Sequence, residues 1–242
     1  MTCRIAAWCS VPLLACVLWA APLPKDKNDL GPITDEQLKQ ASENMKNVLL
    51  AVHNFESAYG HLPADIVDGD GKAILSWRVM ILPYLEEDEL YRKFKLDEPW
   101  DSKANKELIE SIPKIYTPVR GKPKEKGMTF LRGFVGKDAF FEAGRKLRIA
   151  DIFGGDGASN TVAVVEAGEP CLWTKPEDLP FDADKDLPKL GGQFDGDFHV
   201  GMADGSVRLV DGKSFVPKAF KAAITCSSGE VIDEEKAFGK KK

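Results

Sequence analysis

One apolar stripe in the first quarter of the chain constrains the fold more than any other feature. Apolar residues recur there at spacings of three and four, which places them on one face of a helix: Leu38, Ala41, Met45, Val48, Leu49, Val52, Phe55 and Tyr59. Thr34 and Gln37 have the spacing of a capping box at its start, and Gly60 followed by Pro63 ends it. Such a helix is roughly 40 Å long. Because its apolar face needs a broad partner, we expect a sheet to lie across it.

The segment after this helix predicts a helical insertion. Residues 65–72 are rich in turn formers. Residues 76–82 and 84–94 have helical character and are divided by Pro83, because proline lacks the amide donor that a helix interior requires. Asp101 or Ser102 is of the residue type that caps a further helix, which we expect to run to about Ser111.

From Met128 onward the pattern predicts strands. Four short runs rich in β-branched or aromatic residues lie between glycine-rich turns: 128–135, 161–167, 198–203 and 206–210. Asp204-Gly205, between the last two runs, predicts a hairpin. Pro217 begins a short helix that we expect to run to Ala223. The predicted fold class is therefore α+β, a long N-terminal amphipathic helix packed on an antiparallel β-sheet, with a helical insertion.

Residues 1–21 have the pattern of an export signal. Arg4 supplies the positive charge, and residues 5–19 carry no charge over a stretch shorter than the roughly 20 apolar residues of a membrane-spanning helix. Three outcomes stay open: cleavage after the small residues Ala20 and Ala21, lipidation of Cys16 in the lipobox-like run 13–16, or an uncleaved anchor. All three predict an exported protein, in the periplasm or at the cell surface.

Composition sets the remaining boundaries. We expect a polar linker over 22–33, a globular domain over 34–228 and a solvated polar tail over 229–242.

The net charge of −5 disfavours nucleic acid and anionic membranes as partners, so membrane contact is expected only through a lipid or an uncleaved anchor. Cys171 and Cys226 lie beyond the signal, and they either pair in an oxidising compartment or remain two buried thiols.

Several short motifs resemble, in order and spacing, those of the DUF1559 family. They are Asn44-Met45-Lys46, His53-Asn54-Phe55, Tyr59-Gly60, Ser76-Trp77-Arg78, Leu82-Pro83-Tyr84-Leu85, Pro99-Trp100-Asp101-Ser102 with Asn105, Ile149-Ala150-Asp151-Ile152, Asp156-Gly157-Ala158-Ser159-Asn160-Thr161, Glu166, the run 173–178 and the run 203–208. The resemblance covers about residues 42–210. It implies an exported protein of planctomycete bacteria with a pilin-like or pseudopilin-like fold, in a family whose shared motifs have no established chemistry.

The chain departs from that family pattern in three ways. It has no prepilin leader before the long helix, so it resembles an atypical member for which assembly through that helix is not expected. Ala41 and Thr117 stand near the two places where the family carries cysteines. Phe194 stands where the family often has a histidine, and His199 lies nearer the hairpin.

No catalytic constellation is recognisable, and we assign no catalytic residue. Asp156, Ser159 and Asn160 precede a predicted strand, where short polar side chains hydrogen-bond nearby backbone and fix the strand entry. We favour that structural interpretation. The competing interpretation is a sugar- or peptide-binding loop, with an exposed Trp173 as its stacking platform.

Acidic residues allow two further hypotheses. Asp195, Asp197 and Asp204 are candidate oxygen ligands of a calcium site, and calcium is the one cofactor that the sequence suggests. A hydrolase would use Asp151, Asp156 or Glu166, but it needs two carboxylates across one cleft.

The favoured functional prediction is a non-enzymatic, exported structural or interaction domain of the cell envelope, with protein partners in the envelope or the secretion machinery. The alternative is a module that binds a carbohydrate or another solute. No nucleic-acid partner is expected.

Overall fold

The computed structural model describes residues 30–121, 123, 125–141 and 146–239. The export signal and Cys16, the candidate lipidation site, lie outside the described residues. The elements below all belong to one compact unit that begins at Pro32. Within the described ranges, no helix combines the length and the apolar character needed to cross a membrane.

The first helix, α1, confirms the interpretation of the apolar stripe. It spans Asp35–Tyr59. Thr34 and Gln37 form the capping box, with the side chain of each accepting a hydrogen bond from the backbone N–H of the other. Gly60 ends the helix with φ 74°, in the left-handed region that glycine adopts without strain. The helix buries one stripe: Ala41, Met45, Val48, Leu49, Ala51, Val52 and Phe55.

The helical insertion is present, but its helices are shorter than the sequence predicts. A two-stranded hairpin, β1 (Ile66–Val67) and β2 (Ala73–Leu75), occupies the expected turn region. Then come α2 (Trp77–Met80), a 3₁₀ helix at Leu82–Leu85, α3 (Asp88–Tyr91), α4 (Lys103–Lys106) and 3₁₀ turns at Ile109–Ser111 and Lys114–Tyr116.

The buried side chain of Asn105 holds the loop before α4. Its Oδ1 accepts from the backbone N–H of Lys95, and its Nδ2 donates to the carbonyl groups of Lys95, Glu98 and Pro99. These bonds satisfy backbone groups of the 95–99 loop without helical hydrogen bonds. Ser102 caps α4 by accepting from Asn105, in agreement with one of the two predicted caps.

The rest of the chain builds the sheet. The elements are β3 (Met128–Arg132), β4 (Phe134–Val135), α5 (Ile149–Phe153), β5 (Val162–Leu172), β6 (Leu179–Pro180), β7 (Phe198–Met202), β8 (Val207–Val210), α6 (Pro217–Ala222) and α7 (Glu234–Phe238). The main sheet has the order β3-β5-β7-β8, and its neighbouring strands are antiparallel. A small pair, β4 and β6, is parallel and lies outside the predicted antiparallel pattern. Asp204-Gly205 joins β7 to β8, with Gly205 at φ 86°.

Helix α1 and the C-terminal helices lie against opposite faces of this sheet. On one face, a Cβ at Gly201 of β7 would lie 2.7 Å from Leu49 Cδ1, so the helix contacts the sheet where a side chain is missing. On the other face, Phe198, Val200 and Met202 share a buried cluster with Phe220 of α6. The mixed α+β class is therefore confirmed.

The polar tail predicted from residue 229 is wrong for its central part. Ala237 is fully buried and Phe238 is 6% exposed. The Phe238 ring lies 6.0 Å from the Phe220 ring, and the backbone N–H of Val216 donates to the carbonyl of Lys236. Two apolar residues among charges carry no helical periodicity, and so the sequence pattern gave no sign of α7.

If α7 is part of the core, Phe238→Ala should lower the free energy of unfolding by roughly 3 kcal/mol, because it removes a buried ring. Chemical denaturation measures this. The matched control is Val231→Ala in the same tail, where the side chain is 97% exposed and the expected change is below about 0.5 kcal/mol. Equal effects of the two substitutions would contradict the placement of α7.

Candidate functional site

An exposed group of aromatic rings forms at the C-terminal end of α1, and we call it the tyrosine surface (Phe55, Tyr59, His61, Tyr84 and Tyr91). Phe55 and Tyr59 are four residues apart, so they share one side of the helix, and their rings stack with centroids 4.4 Å apart. Gly60 then turns the chain, which brings the His61 ring edge-on to Phe55 at 5.8 Å.

The insertion contributes the other two rings. Tyr84 lies in the 3₁₀ helix that contains Pro83, and its ring stands edge-on to Phe55 at 6.1 Å. Tyr91 is the last residue of α3. Partial burial raises the pKa of Tyr84, and the charge of Tyr59 raises it further. Burial, followed by Tyr59 and Tyr84, raises the pKa of Tyr91. The three phenols are therefore electrostatic neighbours.

Phe55 is buried and anchors this surface to the core, whereas Tyr59 remains 59% exposed. Tyr84 and Tyr91 are half-buried and pack against the main hydrophobic cluster. Residues 86–89, a run of four acids between Tyr84 and Tyr91, border it. A rigid aromatic platform with polar tips and an acidic rim can contact a protein side chain or stack on a sugar ring.

A buried ionic centre holds the insertion that carries Tyr84 and Tyr91. The Arg78 side chain is fully buried and donates from Nη2 to Asp178 Oδ1 at 2.6 Å, from Nη1 to Ser76 Oγ at 2.6 Å and from Nε to the Leu131 carbonyl at 2.8 Å. Burial acts to lower the pKa of Arg78, but Asp178, together with Cys171 and Asp65, acts in the opposite direction and the pKa is raised. The guanidinium therefore stays charged and tied to strand β3.

Asp178 accepts hydrogen bonds from several groups of this centre. Its carboxylate also accepts from Trp77 Nε1 at 2.8 Å and from the backbone N–H of Gly133 at 3.0 Å. Asp65 accepts from the backbone N–H of Trp77 at 2.8 Å. Burial, and then the charge of Asp178, raise the pKa of Asp65 to about 6.

A second buried centre joins β5 to β7. Glu166 Oε2 accepts from the His199 backbone N–H at 2.8 Å and lies 2.9 Å from His199 Nδ1. Gln193 Nε2 donates to Glu166 Oε1 at 3.2 Å, and the Phe194 ring stands edge-on to His199 at 5.6 Å. Both side chains are 3% exposed or less, so Glu166 and His199 are enclosed by the fold.

Comparison with known proteins bears on the first of these regions. Residues 39–120 match the model of the family described as "Protein of unknown function (DUF1559)", which has the short name SBP_bac_10. The match covers residues 39–120 of 242, so the chain is similar to the DUF1559 family over that segment. The search of curated proteins gave no match, and neither did the search of solved structures. The DUF1559 segment, as we call residues 39–120, includes the whole tyrosine surface and Arg78, but not Asp178.

The loop that precedes β5 is held in the fold by hydrogen bonds. The Asp156 carboxylate accepts from the backbone N–H groups of Ser228 and Gly229, and Asn160 Nδ2 donates to the Asp156 carbonyl. The Ser159 carbonyl accepts from Arg208 at 3.0 Å. These contacts bind the strand entry to the segment before α7. Asp151 pairs with its neighbour Arg148 at 2.7 Å instead of facing Glu166.

Trp173 does not serve as the predicted stacking platform, because its side chain is fully buried. Its Nε1 donates to the Ile109 carbonyl at 2.9 Å, and its ring stacks on Tyr116 at 5.9 Å. The expectation of an exposed Trp173 is wrong. The residue instead packs the DUF1559 segment against the end of β5.

The three candidate calcium ligands are not brought together. Asp195 pairs with Arg120 at 3.1 Å, and Asp197 accepts from the backbone N–H of Gly212. Asp204 lies beyond the other end of β7, roughly 20 Å from Asp197 at the rise of an extended strand, and accepts from Ser206. Within the described ranges, no group of three or more acidic, histidine or cysteine side chains is arranged to hold a metal ion.

Cys171 and Cys226 are both buried and do not form a disulfide with each other, which decides between the two alternatives for these cysteines. Burial raises the pKa of the Cys171 thiol, an effect that Arg78 and Arg132 oppose. A protonated, enclosed thiol is a poor nucleophile.

Sequence reasoning missed the tyrosine surface as a site. The signals were present, since Phe55 and Tyr59 are four apart at the end of a helix and Tyr84 follows a proline. Their convergence depends on how the insertion folds back on α1, and spacing along the chain does not define that contact.

Asp178→Ala should lower the free energy of unfolding by about 3–5 kcal/mol, because it leaves the buried Arg78 charge without its partner. Urea denaturation measures the loss. Glu177→Ala is the matched control, since the neighbouring carboxylate is 43% exposed, pairs only with exposed Lys175, and should contribute less than about 0.5 kcal/mol. A small effect of Asp178→Ala would show that the ionic centre does not hold the insertion.

Asp65→Asn should change how stability depends on pH. The folded protein raises the pKa of Asp65 from 3.8 to about 6, so it binds this proton more tightly than the unfolded chain does. The resulting stabilisation is complete below pH 3.8 and is lost as the pH rises through 6. Asparagine is never charged, and its oxygen still accepts from Trp77. The variant should therefore gain stability relative to the wild type between pH 4 and 6.

Urea denaturation across this pH range tests the effect of Asp65. Asp70→Asn, which removes a carboxylate from the exposed turn of the same hairpin, is the control and should give a curve parallel to the wild type. A parallel curve for Asp65→Asn as well would contradict a raised pKa for Asp65.

Proposed function

We propose that this protein is an exported, non-enzymatic interaction domain of the bacterial cell envelope, with a pseudopilin-like arrangement of long helix and sheet, and that it binds a protein partner through the tyrosine surface. The observation that carries the proposal is the cluster of rings around Phe55, in which Tyr59 stacks, His61 and Tyr84 stand edge-on, and Tyr59 is 59% exposed. That cluster lies inside the DUF1559 segment. Export rests on the sequence of residues 1–21.

The chemistry of the tyrosine surface favours a protein partner. Tyrosine is enriched among the residues that contribute most to protein interfaces, because it offers a large apolar area at low entropic cost and a polar tip. Phe55 anchors the rings from below, so the surface is rigid before it binds. The acidic run 86–89 would steer a partner whose contacting rim is basic.

The interior favours binding over catalysis. The Arg78–Asp178 and Glu166–His199 pairs are buried, with each side chain at 3% exposure or less. A catalytic acid or base must reach its substrate, and each of these side chains faces its partner in the pair instead.

A carbohydrate or another solute is the second candidate for the same surface. The exposed Tyr59 ring is a flat platform on which a sugar could stack, and the short name of the family model has the form used for solute-binding proteins. This candidate predicts that a glycan raises the melting temperature of the protein, since a ligand of the native state stabilises it.

A photo-reactive phenylalanine analogue placed at position 59, in cells that export the protein, should form cross-links to a partner protein. The matched control carries the analogue at position 231, which is 97% exposed and distant in sequence from the tyrosine surface. Mass spectrometry would identify the adduct and also the first residue of the mature chain, either lipidated Cys16 or a residue near Pro22.

The outcomes separate the two candidates. A protein adduct at position 59 that is absent at position 231 supports the interaction domain. A glycan that stabilises the wild type but not Tyr59→Ala, with no protein adduct, would move the assignment to solute binding. Tyr59→Ala itself should cost only about 1 kcal/mol of stability, the value of one exposed aromatic pair, so a loss of binding would not reflect unfolding.

A further inference from the structure

Strand β8 is the outer strand of the main sheet and presents unpaired backbone groups on one side. Its register places Val207 opposite Gly201, Arg208 opposite Val200 and Leu209 opposite His199. The Met202 N–H donates to the Ser206 carbonyl, so alternate residues of β8 starting from Ser206 point towards β7. The His199 N–H accordingly points away from β8, to Glu166 on β5.

It follows that the backbone groups of Val207 and Leu209 point out of the sheet. The order β3-β5-β7-β8 places no further strand beside them within the described residues. An exposed strand edge of this kind is a template for an added strand.

A groove of about 800 Å³ runs along this edge, and we call it the edge groove. Residues from both faces of β8 line it, which shows that it follows the edge and not one face of the sheet. Its lining consists of Asp197, Ser206, Val207, Arg208, Leu209 and Asp211, with Glu234, Glu235, Phe238 and Gly239 from α7 and its end.

The two faces of β8 give the groove two chemical sides. Val207 packs against the hydrophobic cluster that contains the buried face of α1, and Leu209, on the same face of β8 as Val207, is 37% exposed. This side of the groove is therefore apolar. On the opposite side, Arg208 lies 3.5 Å from Glu234 and its guanidinium stands 4.4 Å above the Phe238 ring. That side also carries the carboxylates of α7.

Charge decides between occupants of the edge groove. Its lining has four carboxylates and a single guanidinium, that of Arg208, which is already engaged by Glu234 and Phe238. Pairing with the β8 edge of a second copy would bring the two acidic sets together, and like charges oppose such a contact. A cationic segment has no such penalty.

We propose that the edge groove is a docking site for an extended, lysine- or arginine-bearing segment of a partner protein, which pairs with β8 as an additional strand. Side chains of an added strand alternate between the faces of the sheet. Those beside Val207 and Leu209 are therefore apolar, and those beside Glu234 and Glu235 are basic. This site is separate from the tyrosine surface, and the proposal does not depend on the function assigned there.

The test is a titration of the full chain with a fluorescent peptide of alternating valine and lysine, followed by anisotropy. The peptide should bind. The same peptide with N-methylated backbone amides should lose at least roughly tenfold in affinity, because two or three hydrogen bonds to β8 are lost. A peptide with glutamate in place of lysine should not bind.

Variants of β8 and α7 locate the site. Leu209→Pro removes an outward N–H without removing a bond to β7, and it should abolish binding, whereas Leu209→Thr retains the N–H and should bind. Glu234→Lys should weaken binding more than Glu230→Lys, an exposed control outside the lining. A melting curve confirms that Leu209→Pro is folded.

Three results would overturn the proposal. One is binding that N-methylation or Leu209→Pro leaves unchanged, which would be non-specific attraction. Another is concentration-dependent dimerisation of the wild type that Leu209→Pro removes, which would make the occupant a second copy. The third is the absence of binding. Three lysines follow Gly239 in the sequence, so a variant that ends at Gly239 is titrated as well, and the third result requires that neither this variant nor the full chain binds the peptide.

Discussion

The burial of the Arg78 guanidinium is the constraint on which the rest of this structure depends. A fully buried charge is costly, and it is tolerated here because Asp178, Ser76 and the Leu131 carbonyl accept hydrogen bonds from the guanidinium. Two of these partners come from beyond the DUF1559 segment. Within the segment matched by the family model, the buried Arg78 therefore has its hydrogen-bond partners only when the chain beyond that segment, including β3, has folded.

The two surfaces follow from that arrangement. By holding α2 to β3, the ionic centre positions the 3₁₀ helix so that the Tyr84 ring reaches Phe55, on which Tyr59 stacks. The sheet that satisfies Arg78 ends at β8, on the far side from β3, and this leaves the β8 edge open beside α7. The tyrosine surface and the edge groove thus occupy separate parts of a single fold.

Several elements could be predicted because their signals are local. The capping box at Thr34, the glycine at the end of α1 and the Asp204-Gly205 turn each act within a few residues, and the structure contains all of them. The lengths of the insertion helices and the existence of α7 could not be predicted. The second depends on the contact between the rings of Phe238 and Phe220, which no local pattern encodes.

The candidate sites divide along the same line. By itself, the sequence determined the family resemblance and the long helix, since each is encoded in short local motifs. Only the tertiary structure decided that Trp173 is core, that the aspartates proposed for calcium lie apart, and that the rings of Tyr59 and Tyr84 both contact Phe55. The reason is physical: exposure and convergence are set by packing between segments far apart in sequence, and side-chain type and spacing do not encode that packing.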